Sequence, residues 1–267
     1  MSFYIYKVTD TRHENYWQLI WMLAKTDFKI RYQNSFLGYF WAILKPLFMF
    51  SVLYFVFSSI FNPRNIGGQH YSLSLLVSLI LFSFFSEGTT AGMQSLQMKS
   101  DLVLKIYVPR WCIIMASTIH SAMVFFTNFL VIAFFFIWYQ FLPPWNAMSL
   151  FILFSLLLYA FILSVSLLFA PLFIKFRDMG MIWEVVLNAM FYTVPIVYPL
   201  QILPEWTQRI LLVNPVAFII HFVKELMFNN HYVDVWQFVL FFVTNILFSV
   251  FCIWGYRLLI PKVAESM

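Results

Sequence analysis

The residues best suited to chemistry in this 267-residue chain are three cations, Lys25, Lys29 and Arg31. They are set among apolar side chains at Trp17, Ile20, Trp21, Leu23, Ala24, Phe28 and Ile30. That pattern predicts a basic amphipathic helix lying on a membrane surface, with anionic phospholipid as its acidic partner. Such a helix anchors a protein. It can also meet the phosphate head of a lipid-linked substrate. Lys29 and Arg31 adjoin the apolar span that opens behind Gly38, where charge-assisted hydrogen bonds would hold a phosphate.

A second set of residues suits sugar. Thirty-four Phe, fourteen Tyr and ten Trp exceed what two interfacial belts require. Tyr and Trp present a flat apolar face and a polar edge, so a lining of such rings can hold a glycan loosely enough for it to slide. The candidates are Tyr39, Trp41, Phe48 and Tyr54 on the first apolar span, and Phe191, Tyr192 and Tyr198 on the fifth. For each one, helix packing or lipid contact is the alternative use.

Several chemistries lack their residues. No G-x-x-x-x-G-K-S/T occurs, so the chain cannot cradle a nucleotide phosphate by that motif. No H-E-x-x-H or Cys-x-x-Cys occurs, and His13, His70, His120, His221 and His231 are scattered, so neither a metal site nor a catalytic cluster is expected. Cys112 and Cys252 read as small packing residues. Lys45, Glu87 and Glu184 each fall within about two turns of a span end, away from the midplane where a proton-driven carrier needs its acid. Lys45 and Glu87 read either as a buried pair or snorkelling groups, or as a polar ring at a pore mouth.

The elements that must position these residues follow from composition. The chain is 63% hydrophobic and only 10% charged, too few charges to cover a water-facing surface. A bilayer core of about 30 Å takes about 20 apolar residues as a helix. Six stretches qualify, near residues 37–61, 73–92, 108–141, 147–174, 179–198 and 235–260. The fold class is therefore an all-α membrane protein with six transmembrane helices. Residues 1–36 form an N-terminal segment carrying the amphipathic helix, and 37–267 form one transmembrane domain. No cleavable signal is visible in the first 30 residues, so the first span is expected to do the targeting.

Thirteen of the sixteen Lys and Arg residues fall on one side of this arrangement, and only Arg64, Arg209 and Lys224 on the other. Both termini are therefore expected to be cytoplasmic. The net charge of +5 belongs to span ends, which points to phospholipid and not to nucleic acid. On the cytoplasmic side, residues 93–107 have helical spacing. On the outer side, two apolar helical patterns flank Asn214-Pro215 and predict short re-entrant or surface helices.

Four segments carry a resemblance. They are RYQNSFLGYFWAILKPL at 31–47, KSDLVLKIYVPRW at 99–111, PLFIKFRDMGMIW at 171–183 and VPIVYPLQILPEWTQRILLVNPVAFII at 194–220. In order and spacing the chain resembles the permease subunits of type-2 ABC exporters that move O-antigen, capsular polysaccharide or teichoic acid. The O-antigen-like group is favoured. Other members of the family export lipids or drugs, and a membrane-embedded protein that handles lipid or glycan without an ABC motor is the remaining alternative.

The resemblance implies a subunit of the bacterial inner membrane that is not itself an enzyme. Two copies would pair around a channel, and two ATP-binding-cassette subunits would dock beneath, holding the ATP and Mg that this chain has no site for. It implies that a helix bearing Lys99, Asp101, Lys105 and Arg110 couples ATP closure to the spans. It implies that Lys25, Lys29 and Arg31 recruit the lipid-pyrophosphate end of a polysaccharide, and that Pro204, Trp206, Asn214 and Pro215 belong to an exit gate.

Overall fold

In a computed structural model of the chain, residues 16–33, 37–60, 70–100, 108–229, 231 and 234–263 are described. They form nine α-helices and one 3-10 turn, with no strand among them. The helices are α1 (Tyr16–Gln33), α2 (Phe40–Ile60), α3 (Tyr71–Met98), α4 (Arg110–Trp138), α5 (Trp145–Lys175), α6 (Met179–Thr193), α7 (Glu205–Leu211), α8 (Pro215–Phe228) and α9 (Val235–Val263). Helices are the form in which apolar segments satisfy every backbone donor and acceptor internally, as hydrocarbon demands. Five of them, α2, α3, α4, α5 and α9, are long and apolar enough to cross a membrane. The bent pair α7 and α8, turned through 114°, makes a sixth if it counts as one span.

α3 is the centre of the bundle. Of its apolar stretch 78% is buried, against 17% for α2 and for α9, so α3 is core and those two lie at the edge. It packs on α4 and α5, and more lightly on α8, α2 and α6. Its small residues permit this. Gly88 and Gly92 stand one turn apart, facing Ile162 and Ser166 of α5, and a Cβ at either position would collide with them. This is the close approach that a G-x-x-x-G stripe allows between membrane helices. The hydroxyls of Ser78, Thr89 and Ser95 bond back to carbonyls three or four residues earlier on α3. Thr89 also accepts a bond from the indole Nε1 of Trp183 on α6 at 3.1 Å.

α3 runs on to Met98, so residues 93–98 continue a span and do not begin a separate cytoplasmic helix. Its polar tail stays helical because Ser95 and Leu96 are buried in the bundle. The remainder of the expected coupling helix, with Asp101 and Lys105, lies outside the described residues.

The expected fifth span is shorter than its hydropathy suggests. α6 has 15 residues, about 22 Å of helix, less than a hydrocarbon core. Val194 precedes Pro195 and adopts φ −79°, ψ 135°, the extended conformation that a following proline imposes. The carbonyls freed by this break are satisfied from neighbouring helices. Tyr71 of α3 donates to Val197 O at 2.9 Å, and Lys224 of α8 donates to Pro195 O at 2.9 Å. Lys224 is thus a half-buried donor to the backbone beyond α6, in addition to being one of the three outer-side cations of the charge count. α8 is also more deeply seated than a surface helix, because Val216, Ile219, Ile220 and Val223 are wholly buried.

α1 packs along α4, with Ile20 and Ala24 against Cys112 and Ala116. Trp17, Trp21 and Met22 point away from the bundle. Between α1 and α2 the chain turns at Gly38, whose φ of +50° is the left-handed conformation that glycine adopts without strain.

Candidate functional site

The bundle contains a cavity of about 890 Å³, open on one side. Its walls come from five helices. α2 gives Trp41, Lys45, Phe48 and Val52, and α3 gives Leu79, Ser83 and Glu87. α4 gives Ser121, Phe125 and Asn128, α6 gives Asn188 and Phe191, and α1 gives Arg31. The walls are mostly apolar and aromatic, while the charged groups gather at the end nearest α1.

Those charges form one cluster. Lys45 Nζ donates to Glu87 Oε1 at 2.6 Å. Arg31 Nη2 reaches Glu87 Oε2 at 3.5 Å, and Arg31 Nη1 lies 3.3 Å from His120 Nε2. His120 receives the guanidinium N–H there only as the tautomer protonated at Nδ1. Two cations thus share one carboxylate, which leaves a net positive mouth to a pocket with aromatic walls. The helices explain how residues 31, 45, 87 and 120 meet. Arg31 is near the C-terminus of α1, Lys45 is in the second turn of α2, and Glu87 is in the half of α3 that α1 flanks. A second tie lies one helical turn back on α1, where Asp27 takes Lys99 Nζ at the end of α3.

The expected phosphate-recruiting residues divide. Arg31 is at the cavity, whereas Lys25 and Lys29 are exposed on α1. Positions i and i+2 of a helix are rotated by about 200°, so Lys29 and Arg31 face different ways. Lys25 and Lys29, one turn apart, share a face.

Three of the seven candidate aromatics, Trp41, Phe48 and Phe191, line the cavity. The other four lie elsewhere. Tyr39 stacks on Phe28 of α1 with centroids 5.3 Å apart, and Tyr54 stacks on Phe50 at 5.7 Å. Tyr192 is exposed and does not line the cavity, and the Tyr198 hydroxyl donates to Tyr192 O and Thr193 O, closing off the C-terminus of α6.

The two described coupling candidates are tied inside the chain. Lys99 holds Asp27, and Arg110 Nη1 donates to Ile260 O near the end of α9 at 2.9 Å. At the opposite end of the bundle, Pro204 precedes α7 and Trp206 is exposed on it. Asn214 caps α8 by accepting from Val216 N at 3.0 Å, and Pro215 opens that helix. Asn and Pro fit these places because a cap needs a side-chain acceptor and the first helical residue needs no N–H.

Residue patterns alone could not single out His120 or Asn128. His120 is 89 residues from Arg31, and Asn128 is one polar residue in an apolar helix. Both are buried with one side-chain atom unpartnered, His120 Nδ1 and Asn128 Oδ1. No group of three or more His, Cys, Asp or Glu that could hold a metal occurs among the described residues.

The family model of the ABC-2 type transporter matches residues 18–228. An O-antigen export system permease protein RfbA of Klebsiella pneumoniae is 26% identical over 243 residues, which cover 90% of this chain and 93% of that protein. A second protein of that name and organism is 26% identical over 79% of this chain and 81% of its own. One from Myxococcus xanthus is 23% identical over 81% and 82%. The match spans α1 to α8 and so contains every wall of the cavity. The chain belongs to the ABC-2 type transporter family, as a multi-pass membrane permease.

Proposed function

We propose that this permease carries a lipid-linked, O-antigen-like polysaccharide from the cytoplasmic side of a bacterial inner membrane, driven by ATP hydrolysis in a separate subunit. The observation that carries the reading is the pairing of a cationic mouth with an aromatic pocket. Arg31 and Lys45 stand where Trp41, Phe48 and Phe191 begin. A phosphate head matches the first, and sugar rings match the second. The names of the relatives favour O-antigen among the possible glycans.

In this reading the end of the bundle bearing α1 is cytoplasmic, and α1 lies in the membrane surface. Trp17 and Trp21 rest among lipid headgroups, and Lys25 and Lys29 draw anionic lipid toward the mouth. Two copies of the chain pair so that the exposed faces of α2 and α6 enclose the glycan. Two ATP-binding-cassette subunits dock at the same end, and the segment bearing Asp101 and Lys105 receives their motion. α7 and α8 close the far end until the polymer leaves.

The test is export by the double variant Lys29→Ala, Arg31→Ala. We expect the protein to insert normally and surface glycan to fall severalfold. Unchanged surface glycan in cells with normal permease levels would remove phosphate recruitment from the account.

A further inference from the structure

Glu87 holds the cations that an incoming phosphate needs. Its two oxygens are each taken by a different helix, Oε1 by Lys45 of α2 and Oε2 by Arg31 of α1. The carboxylate is the enclosed member of the trio, with its side chain 22% exposed against 40% for Arg31 and 68% for Lys45. It is also the fixed member. Gly88, the next residue, lies so close to α5 that a Cβ there would come within 2.8 Å of Ile162 Cγ2. Lys45 belongs to the lightly buried α2 and reaches in on a long stem, so it has more room to move than the α3 backbone that carries Glu87.

All three side chains open into the cavity. A phosphate or diphosphate ester offers the same kind of acceptor oxygens as a carboxylate, with more charge. Both Arg and Lys bind it readily, the Arg through its planar fork. Glu87 is the member that loses most from separation, because its more enclosed carboxylate would be left uncompensated while the more exposed cations can be solvated, and an entering anion supplies the cations with a replacement partner. Resting on the phosphate-head reading above, we infer that Glu87 is a built-in competitor anion. It holds Arg31 and Lys45 while the cavity is empty and gives them up to a phosphate or diphosphate ester that enters. No bond is made or broken. The exchange is between two anions for one pair of cations, and Lys45 is a ligand of the site.

The experiment measures binding to the full-length permease in nanodiscs of zwitterionic lipid. The probes are inorganic pyrophosphate, a polyprenyl diphosphate, and the uncharged polyprenol as control. Glu87→Gln removes the competitor and keeps the shape. It is expected to tighten both anionic probes about tenfold, in line with a charge-assisted contact. Glu87→Asp keeps the charge but is too short to serve both cations, and is expected to fall between Glu87→Gln and the parent. It also serves as the test should Glu87→Gln fail to fold. Lys45→Gln is expected to weaken both anions about tenfold and leave polyprenol unchanged.

Tightening for the lipid alone places the exchange at a membrane headgroup. Tightening for both probes means any phosphate enters. If Lys45→Gln weakens binding while the Glu87 variants weaken it or leave it unchanged, the phosphate site stands and the competitor role of Glu87 is overturned. If the parent binds neither anion more tightly than polyprenol, the phosphate reading and this inference both fall.

Discussion

Replacing Gly92 by Ala adds one methyl group where α3 and α5 leave no room for it. A Cβ at that position would lie 2.2 Å from Ser166 Oγ, 2.4 Å from Ser166 Cβ and 3.1 Å from Thr118 Cγ2. Carbon atoms in contact rest at about 3.5–4.0 Å, so the gap to Ser166 Cβ must open by more than about 1 Å. Rotating the Ser166 hydroxyl relieves the first contact, but only movement of the α5 backbone relieves the second. Overpacking of this kind costs about 1–3 kcal/mol, and the better helix propensity of Ala returns about 1 kcal/mol. The expected net loss is about 0–2 kcal/mol, toward the upper end because the α5 backbone itself must move. Ser166→Gly removes both of the nearest atoms. In a double-mutant cycle the pair should therefore couple favourably by about 1 kcal/mol or more. Unfolding in mixed micelles, followed by tryptophan fluorescence, supplies the four stabilities. A Gly92→Ala protein more stable than the parent, or strictly additive variants, would refute the claim that this glycine exists for close helix approach. Gly88→Ala should be milder, since its nearest neighbour, Ile162 Cγ2, lies 2.8 Å away against 2.2 Å for Ser166 Oγ at Gly92.

Other outcomes follow from the break after α6 and from the missing nucleotide motif. Tyr71→Phe leaves Val197 O without its donor, and should cost about 1–2 kcal/mol and raise amide exchange around residues 194–199. Lys224→Met removes the donor to Pro195 O and Ile196 O, and should cost more than Tyr71→Phe in the same unfolding assay. Asn214→Ala uncaps α8 and should cost about 1 kcal/mol, read as loss of thermal stability. The purified chain alone should hydrolyse no ATP above a protein-free blank, and measurable turnover would show a nucleotide site that its sequence lacks.

Much of the fold can be read from residue order, because a hydrocarbon core demands about 20 apolar residues of any helix that crosses it. α2, α4, α5 and α9 stand out on that ground alone. Two elements do not. The apolar run from Met179 to Tyr198 looks like a full span, since hydropathy cannot register that Pro195 and Pro199 end the helix and that Tyr71 and Lys224 support the non-helical backbone beyond it. The run Met93–Met98 looks like the start of a polar cytoplasmic segment, yet it continues α3 with Met93, Ser95 and Leu96 buried and only Gln97 and Met98 exposed, because small residues let α3 approach α5 and hydroxyls bond to their own helix.

Arg31, Trp41, Phe48 and Phe191 stand out by residue type and position, but so do Lys25, Lys29, Tyr39, Tyr54, Tyr192 and Tyr198, which do not line the cavity. The pairing of Lys45 with Glu87 stands open as one of two readings. His120 and Asn128 depend on how α4 is rotated against α1 and α3, which no local pattern records. Lys29 and Arg31 look like one cluster in the linear chain, and helical geometry separates them.

The most direct test of the central claim is translocation itself. The permease would be reconstituted in proteoliposomes with its ATP-binding-cassette partner and a polyprenyl-diphosphate-linked glycan, and glycan reaching the opposite leaflet would be measured with a membrane-impermeant lectin. The account predicts ATP-dependent transfer that falls severalfold when Arg31 and Lys45 are both replaced by Gln. Transfer that persists undiminished in that double variant, or that proceeds equally well for a glycan on an uncharged lipid, would contradict it.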